Sequence, residues 1–116
     1  MHSLLKRIQT IRHGRRGCST GIKRRPAVVV KKIQLFNDYW VCVISTQLNR
    51  EVKGLDILIQ EGSNDFKIAN LRSSSVIRVA FLAMVPAKDI KGTIGFLSKP
   101  TLQQIKQNIA RFILEN

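Results

Sequence analysis

A proline stands between a cationic triplet and a β-branched run in this chain: Lys23-Arg24-Arg25-Pro26 leads straight into Ala27-Val28-Val29-Val30. The proline ring fixes φ and so the angle at which the backbone enters the run, and the run itself predicts a buried strand. The arginines before it are then carried on a rigid element, where a guanidinium fork holds a phosphate bidentately. A second apolar run, Val41-Cys42-Val43-Ile44, ends in Ser45-Thr46-Gln47, and a third, Ser75-Val76-Ile77-Arg78-Val79, carries another arginine. These edges offer arginines and hydroxyls with almost no carboxylate or histidine, a set suited to RNA rather than to a metal or a small acid.

The rest of the pattern predicts a mainly β chain with one terminal helix. Strands are expected over 27–33, 39–45, 56–59, 71–85 and 92–96, with Asn37-Asp38 as a turn and Pro86 ending the fourth. From Ser98 the period changes: Leu102, Ile105, Ile109, Phe112 and Ile113 recur at helical spacing behind a serine N-cap and Pro100. At 116 residues the chain suits one domain. Residues 1–20 read as a basic arm in which Leu4, Leu5, Ile8 and Ile11 suggest a helical turn and Gly14 and Gly17 interrupt it. Residues 21–116 read as the β domain with its helix.

Net charge is +13, and it is uneven. Residues 1–32 carry ten Lys or Arg and no acid, whereas the remainder carries ten basic and seven acidic residues. Such a block attracts polyanions. No apolar run approaches the ~20 residues that span a bilayer, and the basic start lacks the apolar core and cleavage site of a signal peptide. The two cysteines, Cys18 and Cys42, show no metal-ligand spacing, and a reducing, cytoplasmic setting is expected.

The residue inventory restricts the chemistry. A Ser-His-Asp arrangement needs a histidine base, yet the only histidines are His2 and His13 in the arm. Metal-assisted phosphodiester cleavage needs clustered carboxylates or histidines, but the acids are scattered over turns and strand ends, and no metal or cofactor is expected. Attack by the substrate's own 2′-hydroxyl remains. It asks the protein only to align the 2′-OH, stabilise the phosphorane and help the 5′-oxygen leave. Arginine and hydroxyl side chains serve those ends, and DNA would not be cut.

Four segments in order resemble the MazF/PemK-type toxins, the endoribonucleases of toxin–antitoxin systems. They are Lys23–Val30, Val43-Ile44-Ser45-Thr46-Gln47, Leu71-Arg72 with Ser75-Val76-Ile77-Arg78, and Ile94-Gly95-Phe96-Leu97-Ser98 followed by the helix. The resemblance implies an SH3-like small β-barrel, a homodimer, metal-independent cleavage of single-stranded RNA at short motifs, and a cognate antitoxin that covers the RNA groove. It places the catalytic arginine on Arg25 and the catalytic hydroxyl on Ser45, where the family has threonine. Arg78 is a third catalytic candidate, from an Arg-x-Asp pattern whose acid is Ala80 here; its competing role is a structural pair with Asp56. Lys23, Arg24, Thr46, Gln47 and Ser74 are the expected RNA contacts, and Tyr39 and Trp40 are candidates for base stacking or core. The family's opening Gly-Asp/Glu-Ile/Val strand has no match in residues 1–18, so the first strand is expected to be missing or replaced, leaving an open sheet edge. A non-catalytic nucleic-acid-binding module and a gyrase-directed toxin of the CcdB kind are the competing functions.

Overall fold

The run after Pro26 lies in the middle of a six-stranded antiparallel sheet of order β4-β5-β3-β2-β1-β6. The computed structural model describes residues 5–13 and 23–115. Its strands are β1 (Leu5–His13), β2 (Lys23–Ile33), β3 (Asp38–Ser45), β4 (Ile57–Ile59), β5 (Ser75–Pro86) and β6 (Ile90–Ser98). Its helices are α1 (Asn64–Ala69) and α2 (Lys99–Leu114). Cys18, the glycine-punctuated residues 14–20 and the side chain of Lys23 lie outside the described residues.

β2 and β3 are buried on both faces, which is why their sequences are continuously apolar instead of alternating. Val28, Val30, Cys42 and Ile44 join Ile105 of α2 in one core. Ala27, Val29, Val41 and Val43 join Ile11 and Val85 in a second. The second core exists because the sheet is rolled. β5 and β6 are four strand spacings apart in the sheet order, about 19 Å if it were flat, yet only Ala87–Asp89 join them. Four peptide steps reach about 14 Å at full extension, so the sheet curls until these strand ends meet, and Ile90 comes to pair with Ile11. β4 and β6 do not pair, so the barrel-like roll stays unclosed.

Of the two alternatives for the first strand, missing or replaced, the first is excluded and no open edge is left there: β1 fills that place, pairing with β2 on one side and β6 on the other. Ile8 and Ile11 are both fully buried, but Ile8 belongs to the first core and Ile11 to the second. Register shifts between them let one strand supply both cores, and the resulting three-residue spacing imitates a helix. The fourth expected strand also starts later than its apolar pattern: residues 71–74 are loop, and β5 begins at Ser75.

Three joints fix the helices. A Cβ placed on Gly95 of β6 would fall 2.0 Å from the carbonyl oxygen of Ala69, so α1 rests directly on the β6 backbone. Asp65 of α1 accepts from the Ser98 N–H (3.3 Å) and the Thr101 hydroxyl at the start of α2. Ser98 is the N-cap residue, as its position predicts, but its hydroxyl donates to Thr101 rather than capping a backbone N–H. At the other end of α2, Asn108 donates to Leu55 O (2.9 Å) and Arg111 to Gly54 O, tying the helix to the loop before β4.

Candidate functional site

Antiparallel pairing places the start of β2 beside the end of β3, so the residues flanking the two central strands converge. From β2 come Arg24, Arg25 and Pro26; from β3 and its exit come Ile44, Ser45, Thr46 and Gln47. Facing them are Asn70, Leu71 and Arg72 after α1, with Ser75, Ile94 and Thr10 contributed by β5, β6 and β1. Together they line an open groove of about 720 Å³, a volume within the range that takes a drug-sized ligand. Among the described residues, three arginines line it and no carboxylate, histidine or cysteine does. The described residues hold no group of three or more metal-ligating side chains anywhere.

Ser45 is oriented within this groove. Its Oγ accepts the backbone N–H of Gln47 at 3.1 Å. A hydroxyl has one O–H and two lone pairs, so with a lone pair occupied the O–H remains to donate to an anionic oxygen. Arg24 and Arg25 are exposed, and among the described residues neither guanidinium has a hydrogen bond or ion pair that would hold it back from a ligand.

The structure gathers Arg25, Ser45, Arg24, Thr46 and Gln47 into one surface but leaves two other candidates outside it. Ser74 is directed to the turn between β4 and α1, where its Oγ accepts the Glu61 N–H at 2.9 Å. Arg78 lies on a stretch of β5 that bulges away from β3: Cys42 pairs with Leu82 and Ile44 with Ile77, so β5 runs on while β3 advances only two residues. Its guanidinium stands 5.6 Å from the Phe81 ring centre, and its buried Nε has no hydrogen-bond partner among the described residues. The Asp56 pairing expected as its alternative role is not made. The Asp56 carboxylate accepts instead from Ala80 N (2.8 Å) and Val52 N (2.9 Å), satisfying the N–H groups that the bulge and the loop leave unpaired. Tyr39 is half-buried against the second core, and Trp40 is 36% exposed on the face away from it. Cys42 is fully buried. Burial, with a smaller contribution from the Asp56 charge, pushes its thiol up to about 12, so it is not a nucleophile near neutral pH.

Sequence reasoning missed Asn70, Arg72 and Thr10. Asn70 is left-handed (φ 58°), and its Nδ2 donates to Ile94 O at 3.0 Å, bridging the α1 exit to β6. An asparagine closing a short helix behind Ser63, which caps it through the Phe66 N–H at 3.1 Å, is a usable signal. The sequence hides it because Leu71 opens the apolar run that predicts a strand.

A family model described as the PemK-like, MazF-like toxin of type II toxin–antitoxin systems matches residues 5–113. Among solved structures, the Mycobacterium tuberculosis toxin MazF-mt6 superimposes with a TM-score of 0.67 at 17% identity, over 95% of this chain and 100% of that one. That likeness establishes the fold. A search of curated proteins finds no significant match. The family match begins at β1 and runs almost to the end of α2, across both walls of the groove, and by it the chain belongs to the PemK-like, MazF-like toxins of type II toxin–antitoxin systems.

Proposed function

We propose that this protein is a sequence-specific, metal-independent endoribonuclease that cleaves single-stranded RNA by attack of the substrate's 2′-hydroxyl. The observation that carries this reading is the convergence of Arg25 and the oriented Ser45 hydroxyl in one groove whose described lining residues include no carboxylate or imidazole. Arg25 neutralises charge as it builds on the phosphorane, and Ser45 holds a non-bridging oxygen. The 2′-oxygen forms a bond to phosphorus as the P–O5′ bond breaks, giving a 2′,3′-cyclic phosphate and a 5′-hydroxyl. The described lining residues include no carboxylate or imidazole to act as a base, so water takes the 2′-OH proton and returns one to O5′. Arginine is a poor proton donor because it stays charged.

Family membership supports a cognate antitoxin as partner, and the arginine-lined groove favours an acidic segment as the part that blocks it. We further propose that the toxin acts as a homodimer in the cytoplasm, where its RNA substrate is. The described residues contain no helix long and apolar enough to cross a membrane. The non-catalytic alternative loses one support, since β1 is in place.

The test is incubation of the protein with long single-stranded RNA in EDTA beside an Arg25→Ala variant, with the ends mapped. Discrete cuts bearing cyclic phosphates, lost in the variant, are the expected outcome. Intact RNA from folded protein overturns the enzyme reading in favour of a binding module; intact RNA with damaged DNA in arrested cells points to gyrase.

A further inference from the structure

The segment between α1 and β5 has no regular structure, yet it is pinned along its length. Asn70 Nδ2 donates to Ile94 O at 3.0 Å, Ser75 Oγ donates to Ser73 O at 2.9 Å, and Ser74 Oγ accepts from Glu61 N at 2.9 Å. Its helical end rests on Gly95 with no room for a Cβ. Arg72 stands in the middle of this segment and lines the groove. It is exposed and, among the described residues, makes no ion pair or hydrogen bond. The three arginines of the groove therefore come from two elements: Arg24 and Arg25 from the start of β2, and Arg72 from the pinned loop that faces them.

We infer that Arg72 binds a second backbone phosphate, next to the scissile one, so that the groove grips two consecutive phosphates from two separate elements. This rests on the endoribonuclease reading for the identity of the strand, and it deepens that reading by adding a residue it does not use. Three guanidinium groups around one open groove, with no acid among its described lining residues, exceed what one phosphate requires. Consecutive phosphates on a single strand are the anions that match such a spread. A loop held in place by hydrogen bonds positions the side chain without the ordering cost of a mobile arm. Gripping the strand on both sides of the reacting centre aligns the 2′-oxygen and O5′.

The experiment measures binding of a mixed-sequence 2′-fluoro RNA strand, which lacks the attacking hydroxyl, at increasing salt. For single strands log K falls with log salt by about 0.7 per phosphate contacted. Arg72→Ala should flatten the slope by about 0.7, which makes binding about threefold less sensitive to a change from 50 to 200 mM salt. Arg72→Lys should restore the slope, and Arg25→Ala with Arg72→Ala together should flatten it by about twice as much. A merely structural role would lower the melting temperature without changing the slope. An unchanged slope in Arg72→Ala, with the slope reduced in Arg25→Ala, overturns this inference and leaves the groove reading intact. Failure of the wild-type protein to bind the strand, or equal slopes in all variants, overturns both.

Discussion

Ser45 concentrates the proposed chemistry in one hydroxyl: a lone pair is taken by Gln47 N–H, and the proton is left for substrate. Ser45→Ala removes that donor to a charged oxygen, an interaction worth about 1.5–3 kcal/mol, so kcat/KM should fall by about 10- to 100-fold in steady-state cleavage assays. Ser45→Thr keeps the hydroxyl and should stay within a few-fold of wild type. Arg25→Ala should cost more, about 100- to 1,000-fold in kcat, as expected for loss of a charge-stabilising donor. Cys42 gives a separate, pH-dependent expectation. Its folded thiol titrates near 12 against an ordinary 9.0, so the folded state holds the proton more tightly. The stability this provides is complete below pH 9 and declines as pH rises from 9 towards 12. Alkaline denaturation monitored at several pH values should therefore show a steeper decline for wild type than for Cys42→Ala; identical slopes would show that the thiol is not shielded. Arg25 and Ser45 were legible because each flanks a β-branched run whose end the sequence marks. Arg72 and Asn70 were not, since their place depends on contacts between α1 and β6 that no local pattern encodes.

Among the elements, α1 is the least legible and the most consequential for the groove. Six residues are too few for a periodicity to show, and the close seat on Gly95 is a long-range fact. Gly95→Ala would place a methyl group 2.0 Å from Ala69 O, a backbone atom with little freedom to move. The overpacking should cost about 1–3 kcal/mol, lowering the melting temperature by roughly 10 °C. RNA affinity should fall as well, because the same shift displaces Asn70 and Arg72. A variant with unchanged stability and binding would show that α1 can move away freely. Asp56 is the corresponding device at the other side of the sheet. Asp56→Asn would set an amide N–H₂ against Val52 N–H or Ala80 N–H, leaving a buried donor unpaired at about 1–3 kcal/mol. Thermal unfolding measures this directly, and cleavage by the residual folded protein should be unimpaired since Asp56 does not line the groove. β1 was illegible for a different reason: a strand that feeds two cores across register shifts loses the two-residue alternation by which strands are read.

Over the whole molecule, the roll of the sheet gives an inside to two strands that would otherwise have one solvated face, and it leaves an apolar outside. Trp40 and Met84 are register partners, and Leu82 pairs with Cys42 two positions on, so the three share one face of β3 and β5. They are 36%, 57% and 36% exposed, on the face opposite the core that contains Val41 and Val43. A contiguous apolar patch on a chain of net charge +13 needs cover, and electrostatic repulsion between copies would have to be outweighed at the contact. This face is the one we offer as the contact of the proposed homodimer. Sedimentation of the wild-type protein at micromolar and higher concentrations should show the dimer. Met84→Glu, which sets a carboxylate in the middle of the patch, should sediment as a monomer with an unchanged far-ultraviolet spectrum. Arg25→Ala should remain dimeric, separating assembly from the groove. A wild-type protein that stays monomeric throughout would leave Trp40, Leu82 and Met84 as surface for another partner, and the antitoxin would be the first to try against Met84→Glu.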